Sequence, residues 1–267
     1  MFLTKKSILK IVIMAIGYFL TGSFAIATWF VFNNIGIYEN FLLILGIITY
    51  LLGVLFVFCG RYAEGKGKLI NLGTKLVRNQ LKPAEFIKHY QSIKNSDDLV
   101  VNKPSLDVLQ LIIVAYDSLN DKENALATAD EMINVSSDKK KNFSKLIKTS
   151  LLFDYGKTQE AEALFNEVQS EKLDFMCTGL VDTILKSDRA KAMADYKTAE
   201  AYNLKLLERS FPKLDNLGKL VVHYQLGEVY EKLQENEKAV THYQYCINFG
   251  GETEIKKSAI EKLENIK

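Results

Sequence analysis

The sequence predicts an all-α protein, with two long apolar helices followed by a series of helical hairpins and a closing amphipathic helix. Three observations carry this expectation. Residues 1–60 contain only Lys5, Lys6, Lys10 and Glu39 as charged side chains. From Leu69 onward the apolar residues recur at helical spacing. Ala125, Ala161, Ala199 and Ala239 then fall 36, 38 and 40 residues apart, the mark of a repeated unit.

Composition bounds the function classes. The chain has 267 residues, 48% hydrophobic and 25% charged, which is the make-up of a folding protein. Removing the three lysines and one glutamate of the first sixty residues from the 34 basic and 32 acidic side chains leaves 31 of each. A neutral remainder without a basic cluster excludes a nucleic-acid partner. Cys59, Cys177 and Cys246 form no CxxC pair, so no disulfide framework or metal centre is expected from them, and they read as buried apolar residues.

Taken in order, residues 1–10 form a basic tail. Residues 11–32 follow without a charge, and at 1.5 Å rise per residue this run is long enough for a bilayer core of about 30 Å. After a loop at 33–40, residues 41–60 form a second uncharged run, in which Gly46, Gly53 and Gly60 lie seven apart and share a face suited to close helix contact. The expectation is a transmembrane hairpin. Trp29 and Tyr38 flank its loop, and basic residues lie only beyond its ends, which places both termini and the rest of the chain on the cytoplasmic side. Gly65 and Gly67 mark 61–67 as a linker, and 68–267 as a separate helical domain.

Within that domain, Leu69, Leu72, Leu76 and Val77 make an apolar stripe, and Pro83 opens a helix bearing Phe86, Tyr90 and Ile93. A second hairpin covers 106–135, a third 142–168 with Gly156 in its turn, and a fourth 172–212. A fifth covers 220–252, where Leu226, Gly227, Tyr230, Ala239, Tyr243 and Cys246 set the pattern. Tyr116 precedes Ala125 by nine residues, as Tyr230 precedes Ala239. Residues 253–267 place Ile255, Ala259, Leu263 and Ile266 on one face, as a capping helix does.

The fifth hairpin resembles the tetratricopeptide repeat (TPR), in which small residues let two antiparallel helices approach and aromatics fill the gap between them. The resemblance implies a TPR-like α-solenoid of about four degenerate hairpins plus the cap. Tyr116, Ala125, Ala161, Phe165 and Ala199 take packing roles, as do Gly227, Tyr230, Ala239 and Tyr243. With a repeat of about 34 residues in such families, the units here are stretched. The resemblance also implies a concave groove lined by first helices. Its positions include Gln110, Val114, Phe143, Leu146 and Phe153, then Val221, Tyr224, Glu228 and Glu231. The lysine and asparagine that clamp a terminal carboxylate in that family are missing, since Gln110 and Val114 stand in their places.

No P-loop, HExxH, GxSxG or GxGxxG motif occurs, so no enzyme activity, cofactor or small-molecule substrate is expected. His223 and His242 fall on facing helices of one hairpin. His223 takes a large packing position, so the pair reads as packing and no metal is expected. The expected function is a membrane-anchored scaffold that recruits a protein or peptide partner. The alternative is an accessory subunit of an integral membrane enzyme or transporter, assembled through the glycine face.

Overall fold

The computed structural model describes residues 5–34, 40–94, 104–169, 180–208 and 213–266, and all regular structure among them is helical. The chain divides into two compact units, Met1–Lys68 and Leu69–Lys267.

In the first unit, α1 (Lys5–Asn34) pairs with the first part of α2 (Asn40–Gly73). The approach is backbone to backbone. A Cβ added at Gly22 would lie 3.0 Å from the Gly46 carbonyl oxygen, one at Gly46 2.6 Å from Ile26 Cγ1, and one at Gly53 2.8 Å from Tyr18 Cβ. Gly60 and Tyr38 lie outside the residues whose side chains are described. Thr21 and Thr28 donate their hydroxyls to carbonyls one turn earlier, at Gly17 and Phe24. The hairpin leaves Leu20, Phe24, Phe30, Leu51 and Leu55 exposed.

Among the described residues no helix is long and apolar enough to cross a membrane. This overturns the expectation of two transmembrane helices at 11–32 and 41–60, and with it an integral membrane protein whose termini and repeat domain face the cytoplasm. Lys5, Lys6 and Lys10 lie within α1, and Arg61, Glu64, Lys66 and Lys68 within α2, so charged side chains fall inside both helices and not only beyond their ends. A second correction concerns 61–67, expected as a linker, which lies inside α2. Helical hydrogen bonds there outweigh the cost of about 1 kcal/mol that each glycine carries in a helix.

The second unit is a set of five helical hairpins. The end of α2 continues into a π-helical segment, Thr74–Asn79, and pairs with α3 (Pro83–Lys94). Then come α4 (Leu106–Ser118) with α5 (Lys122–Val135), and α6 (Asp138–Asp154) with α7 (Thr158–Gln169). They are followed by α8 (Leu180–Ala192) with α9 (Tyr196–Glu208), and α10 (Asn216–Lys232) with α11 (Asn236–Phe249). The chain ends in α12 (Glu254–Ile266).

Each hairpin turns through one residue in the left-handed region: Leu81, Asn120, Gly156, Ala194 and Gln234, with φ from 56 to 75°. The N–H of the following residue donates to the carbonyl five positions back, as in Asp121 to Tyr116 at 2.9 Å and Glu235 to Tyr230 at 2.8 Å. This closes the last helical turn in a Schellman arrangement. In the first hairpin Lys82 reaches six positions back, to Leu76. That extra residue is accommodated as the π-helical segment.

The turn fixes a packing register. Five residues after it stand Phe86, Ala125, Ala161, Ala199 and Ala239, all with no exposed surface. Seven before and nine after it are facing positions, and in the fifth hairpin these are Gly227 and Tyr243. A Cβ on Gly227 would sit 2.5 Å from Tyr243 Cε1, so the glycine makes room for the buried ring. The same positions hold Ile113 and Ala129, then Thr149 and Phe165, then Ser187 and Asn203. In this fourth pair the Ser187 hydroxyl and both amide atoms of Asn203 are buried without a partner.

The hairpins do not simply follow one another in a line. α3 packs on α4, α5 on α6, α6 on α8 and α9 on α10, and the π-helical segment then packs on α10. The first hairpin therefore meets the last. Arg78 donates to Asp215 at 3.2 Å, Asn216 to the Asn79 carbonyl at 2.8 Å, and the Glu252 N–H to the Leu81 carbonyl at 2.9 Å. Beneath these bonds one apolar core joins Leu76, Val77 and Phe86 to Leu217, Leu220 and Leu226. α12 packs on α11 and α10.

Two substitutions test this register. Gly227→Ala should destabilise by about 1–3 kcal/mol through overpacking against Tyr243, read as a thermal midpoint lowered by about 2–4 °C per kcal/mol. Asn203→Leu should have the opposite sign, gaining about 1 kcal/mol by removing unpartnered polar atoms from the core. Urea unfolding of the two variants measures both.

Candidate functional site

The second to fifth hairpins and α12 border an open cavity of about 420 Å³. α4 contributes Asp117, α6 Asp154, α8 Lys191, and α10 Val221, Tyr224, Gln225 and Glu228, while α12 contributes Glu254, Ile255, Ser258 and Lys262. Asn120, Tyr155 and Tyr196, with Lys122 and Lys232, complete the wall. The first helices of four successive hairpins thus converge on one space.

A polar network crosses its floor. Lys191 donates to Asp154 at 3.1 Å and to Glu228 at 3.3 Å, linking α6, α8 and α10. Behind it lies Asp188, fully buried, which accepts from Gln225 at 2.9 Å and from the Ser150 hydroxyl. The Tyr155 hydroxyl donates to Asp117 at 2.7 Å. Towards α12, Glu231 accepts from the Tyr243 hydroxyl at 2.9 Å and from Lys262 at 3.1 Å.

Burial governs the electrostatics. It pushes the Asp188 carboxyl up to about 8, with the Asp154 charge adding to the rise, against Lys191 and the Ser150 and Gln225 hydrogen bonds. Burial and then Asp154 push Asp117 up to about 6, although the Tyr155 hydroxyl and Lys122 oppose this. Lys191 shows the reverse balance. Burial alone would lower its ammonium, but Asp154, Glu228 and Asp188 together hold it above the ordinary lysine range. Asp154 and Glu228 therefore share one ammonium, and burial favours the neutral form of Asp188 behind them.

Of the positions expected in a groove, Val221, Tyr224 and Glu228 line this cavity. Glu231 stands next to it through Lys262. Leu146 and Phe153 do not face a groove: they are core residues, 4% and 3% exposed, packed with Leu152 and Phe165. Phe143 and Val114 are half-buried and pack on apolar clusters, and Gln110 is half-buried on α4. The residues that sequence reasoning missed are Asp117, Asp154, Asp188, Lys191 and Gln225. One signal was available for Asp188, a carboxylate seven residues after Val181 within an otherwise apolar helical face.

Away from the cavity, on the fifth hairpin, His223 and His242 meet through their Nδ1 atoms at 2.9 Å. Tyr245 stacks on His223 with ring centroids 3.7 Å apart, and Tyr230 on His242 at 5.4 Å. Burial, with the neighbouring His242 and Lys219, takes His223 down to about 4, and burial lowers His242. Cys246 is buried beneath the same hairpin, and burial pushes its thiol up to about 12. Among the described residues no group of three or more histidine, cysteine, aspartate or glutamate side chains could hold a metal ion. No protein-family model, curated protein or solved structure matches this chain.

The raised carboxyl of Asp188 makes a prediction with a definite sign. A folded-state value of about 8, above the ordinary carboxyl value of 3.8, means that its contribution to stability is present below pH 3.8 and is lost as pH rises towards 8. Asp188→Asn keeps a neutral side chain between Ser150 and Gln225. Relative to the wild type the variant should therefore gain stability steadily from pH 4 to pH 8, as followed by urea midpoints across that range.

Proposed function

We propose that residues 69–267 form a TPR-like binding module that seats a protein or peptide segment in its cavity. The observation that supports this reading is the convergence of first-helix side chains from four hairpins on one space of about 420 Å³. A cavity of that size accommodates a few residues of an extended chain. Its wall offers what a peptide uses: tyrosine rings at Tyr155, Tyr196 and Tyr224, an amide at Gln225, and charges of both signs. The reading requires no catalytic group, since a repeat scaffold acts by holding its partner.

The mixed charge sets the partner's chemistry. Lys191 is already satisfied by Asp154 and Glu228, and Lys262 by Glu231, so a purely acidic or purely apolar segment gains little there. A polar segment carrying both charges, with an aromatic or aliphatic residue to lie against Tyr224, fits the wall.

Selection of a displayed random-peptide library on the full chain tests the proposal. A recovered peptide should bind Tyr224→Ala and Glu228→Gln at least about tenfold more weakly, a loss in the range of one interface anchor. It should bind Val240→Ala, altered at an exposed position of α11, as well as it binds the wild type. Equal binding to the wild type and to both cavity variants, or recovery of no peptide at all, would overturn the reading.

A further inference from the structure

Asp117, Asp154, Lys191 and Glu228 follow one another at intervals of 37 residues, one from each of the four first helices that border the cavity. Lys191 joins two of the three carboxylates, reaching Asp154 at 3.1 Å and Glu228 at 3.3 Å. Asp117, at the end of this row, has no ammonium of its own. Among the described residues its carboxylate accepts one hydrogen bond, from the Tyr155 hydroxyl to Oδ1, and makes no salt bridge, since Lys122 and Lys191 act on it only from farther off. Asp154 likewise accepts on Oδ1 alone, from Lys191 and more weakly from Gln225. Two carboxylate oxygens, Oδ2 of Asp117 and Oδ2 of Asp154, are thus left unbonded at the same cavity.

We propose that the cavity takes a lysine side chain of its partner segment, whose ammonium seats between Asp117 and Asp154. The inference rests on the binding-module reading above and names the group that the module recognises. Lys191 shows the arrangement required, an ammonium shared by two carboxylates from different hairpins, and a guest lysine repeats it one hairpin earlier in the row. An ammonium is a compact charge with three donors, so it serves both Oδ2 atoms and keeps one donor for water. Its apolar four-carbon stem lies along the tyrosine rings of the wall.

The helix ends favour a cation at the same place. Asp117 and Asp154 stand in the last turns of α4 and α6, where the helix dipole puts partial negative charge, and neither last turn has a basic residue. The last turns of α8 and α10 have Arg189, Lys191 and Lys232. The negative ends are therefore compensated from within in the fourth and fifth hairpins and left open in the second and third. Burial and the Asp154 charge raise Asp117 only to about 6, so at neutral pH it is an ionised, half-buried carboxylate without a contacting counter-charge, which is costly. A guest ammonium relieves that cost. Lys122 competes with it, exposed at the start of α5 with its ammonium 5.2 Å from the Tyr155 ring centre.

Ligand-observed NMR titration of the full chain with alanyl-lysyl-alanine, blocked at both ends, tests the proposal. This tripeptide should bind at least about tenfold more tightly than its blocked norleucine counterpart, which keeps the stem and removes the charge. Asp117→Asn retains an oxygen for the Tyr155 hydroxyl and should abolish that preference. Lys122→Gln should strengthen it, whereas Glu237→Gln, in the exposed first turn of α11, should leave it unchanged. If Asp117→Asn fails to fold, judged by circular dichroism, Lys122→Gln and the norleucine comparison carry the test. No binding, equal binding of the two blocked tripeptides, a preference that survives Asp117→Asn, or binding only of the norleucine tripeptide with a free amino terminus overturns the proposal. Library peptides that depend on Tyr224 but need no lysine also overturn it, and they leave peptide binding by the cavity intact.

Discussion

The geometry of the second unit depends on one backbone constraint, the single left-handed residue at which each hairpin turns. Because the Schellman bond ties the residue after the turn to a carbonyl five positions earlier, the two helices leave the turn in a fixed rotational phase. That phase decides which side chains face each other. It brings Gly227 to Tyr243 and places an alanine with no exposed surface at each of four interhelical crossings. Only one of the five turn residues is glycine, so Leu81, Asn120, Ala194 and Gln234 each adopt a conformation that costs about 1–2 kcal/mol. The hairpin packing beyond each turn offsets that strain.

The first hairpin shows what happens when the constraint is stretched. One additional residue moves the hydrogen bond from the Lys82 N–H to the Leu76 carbonyl out by a position, and the helix absorbs it as a π-helical segment. The same segment packs on α10 and brings Arg78 and Asn79 to the start of that helix. Asp215 then serves twice, capping α10 through the Gly218 N–H at 2.7 Å and accepting from Arg78. A local insertion and the meeting of the two ends of the unit therefore occupy the same few residues.

Burial of charge separates the cavity from the rest of the interior. Most of the core is aliphatic and aromatic, yet the floor of the cavity contains a lysine between two carboxylates and an aspartate with almost no exposed surface. Replacing such groups by apolar residues of similar volume is often neutral or stabilising. Where four hairpins converge, these groups give the cavity a polar floor. The unpartnered Ser187 and Asn203 lie in the same fourth hairpin as Asp188 and Lys191, and with Thr183 they give this hairpin a polar interior.

The sequence by itself determined the helical class and the hairpin repetition, because both rest on local features: an apolar period near 3.6 and alanines 36 to 40 residues apart. Val221, Tyr224 and Glu228, which the resemblance to the TPR family implied as groove positions, line the cavity. The sequence could not place Leu146 and Phe153. Whether an apolar residue on the inner side of a first helix lines a groove or fills a core depends on how closely the next hairpin packs, and here α8 packs onto α6. Uncharged runs also misled the assignment of 11–32 and 41–60, and glycine content that of 61–67, because composition gives a tendency and does not mark where a helix begins and ends. The contacts between the first and last hairpins, the sharing of Lys191 by Asp154 and Glu228, and the meeting of His223 with His242 were decided by tertiary structure. Each joins residues from different helices, and no local pattern fixes the distance between them.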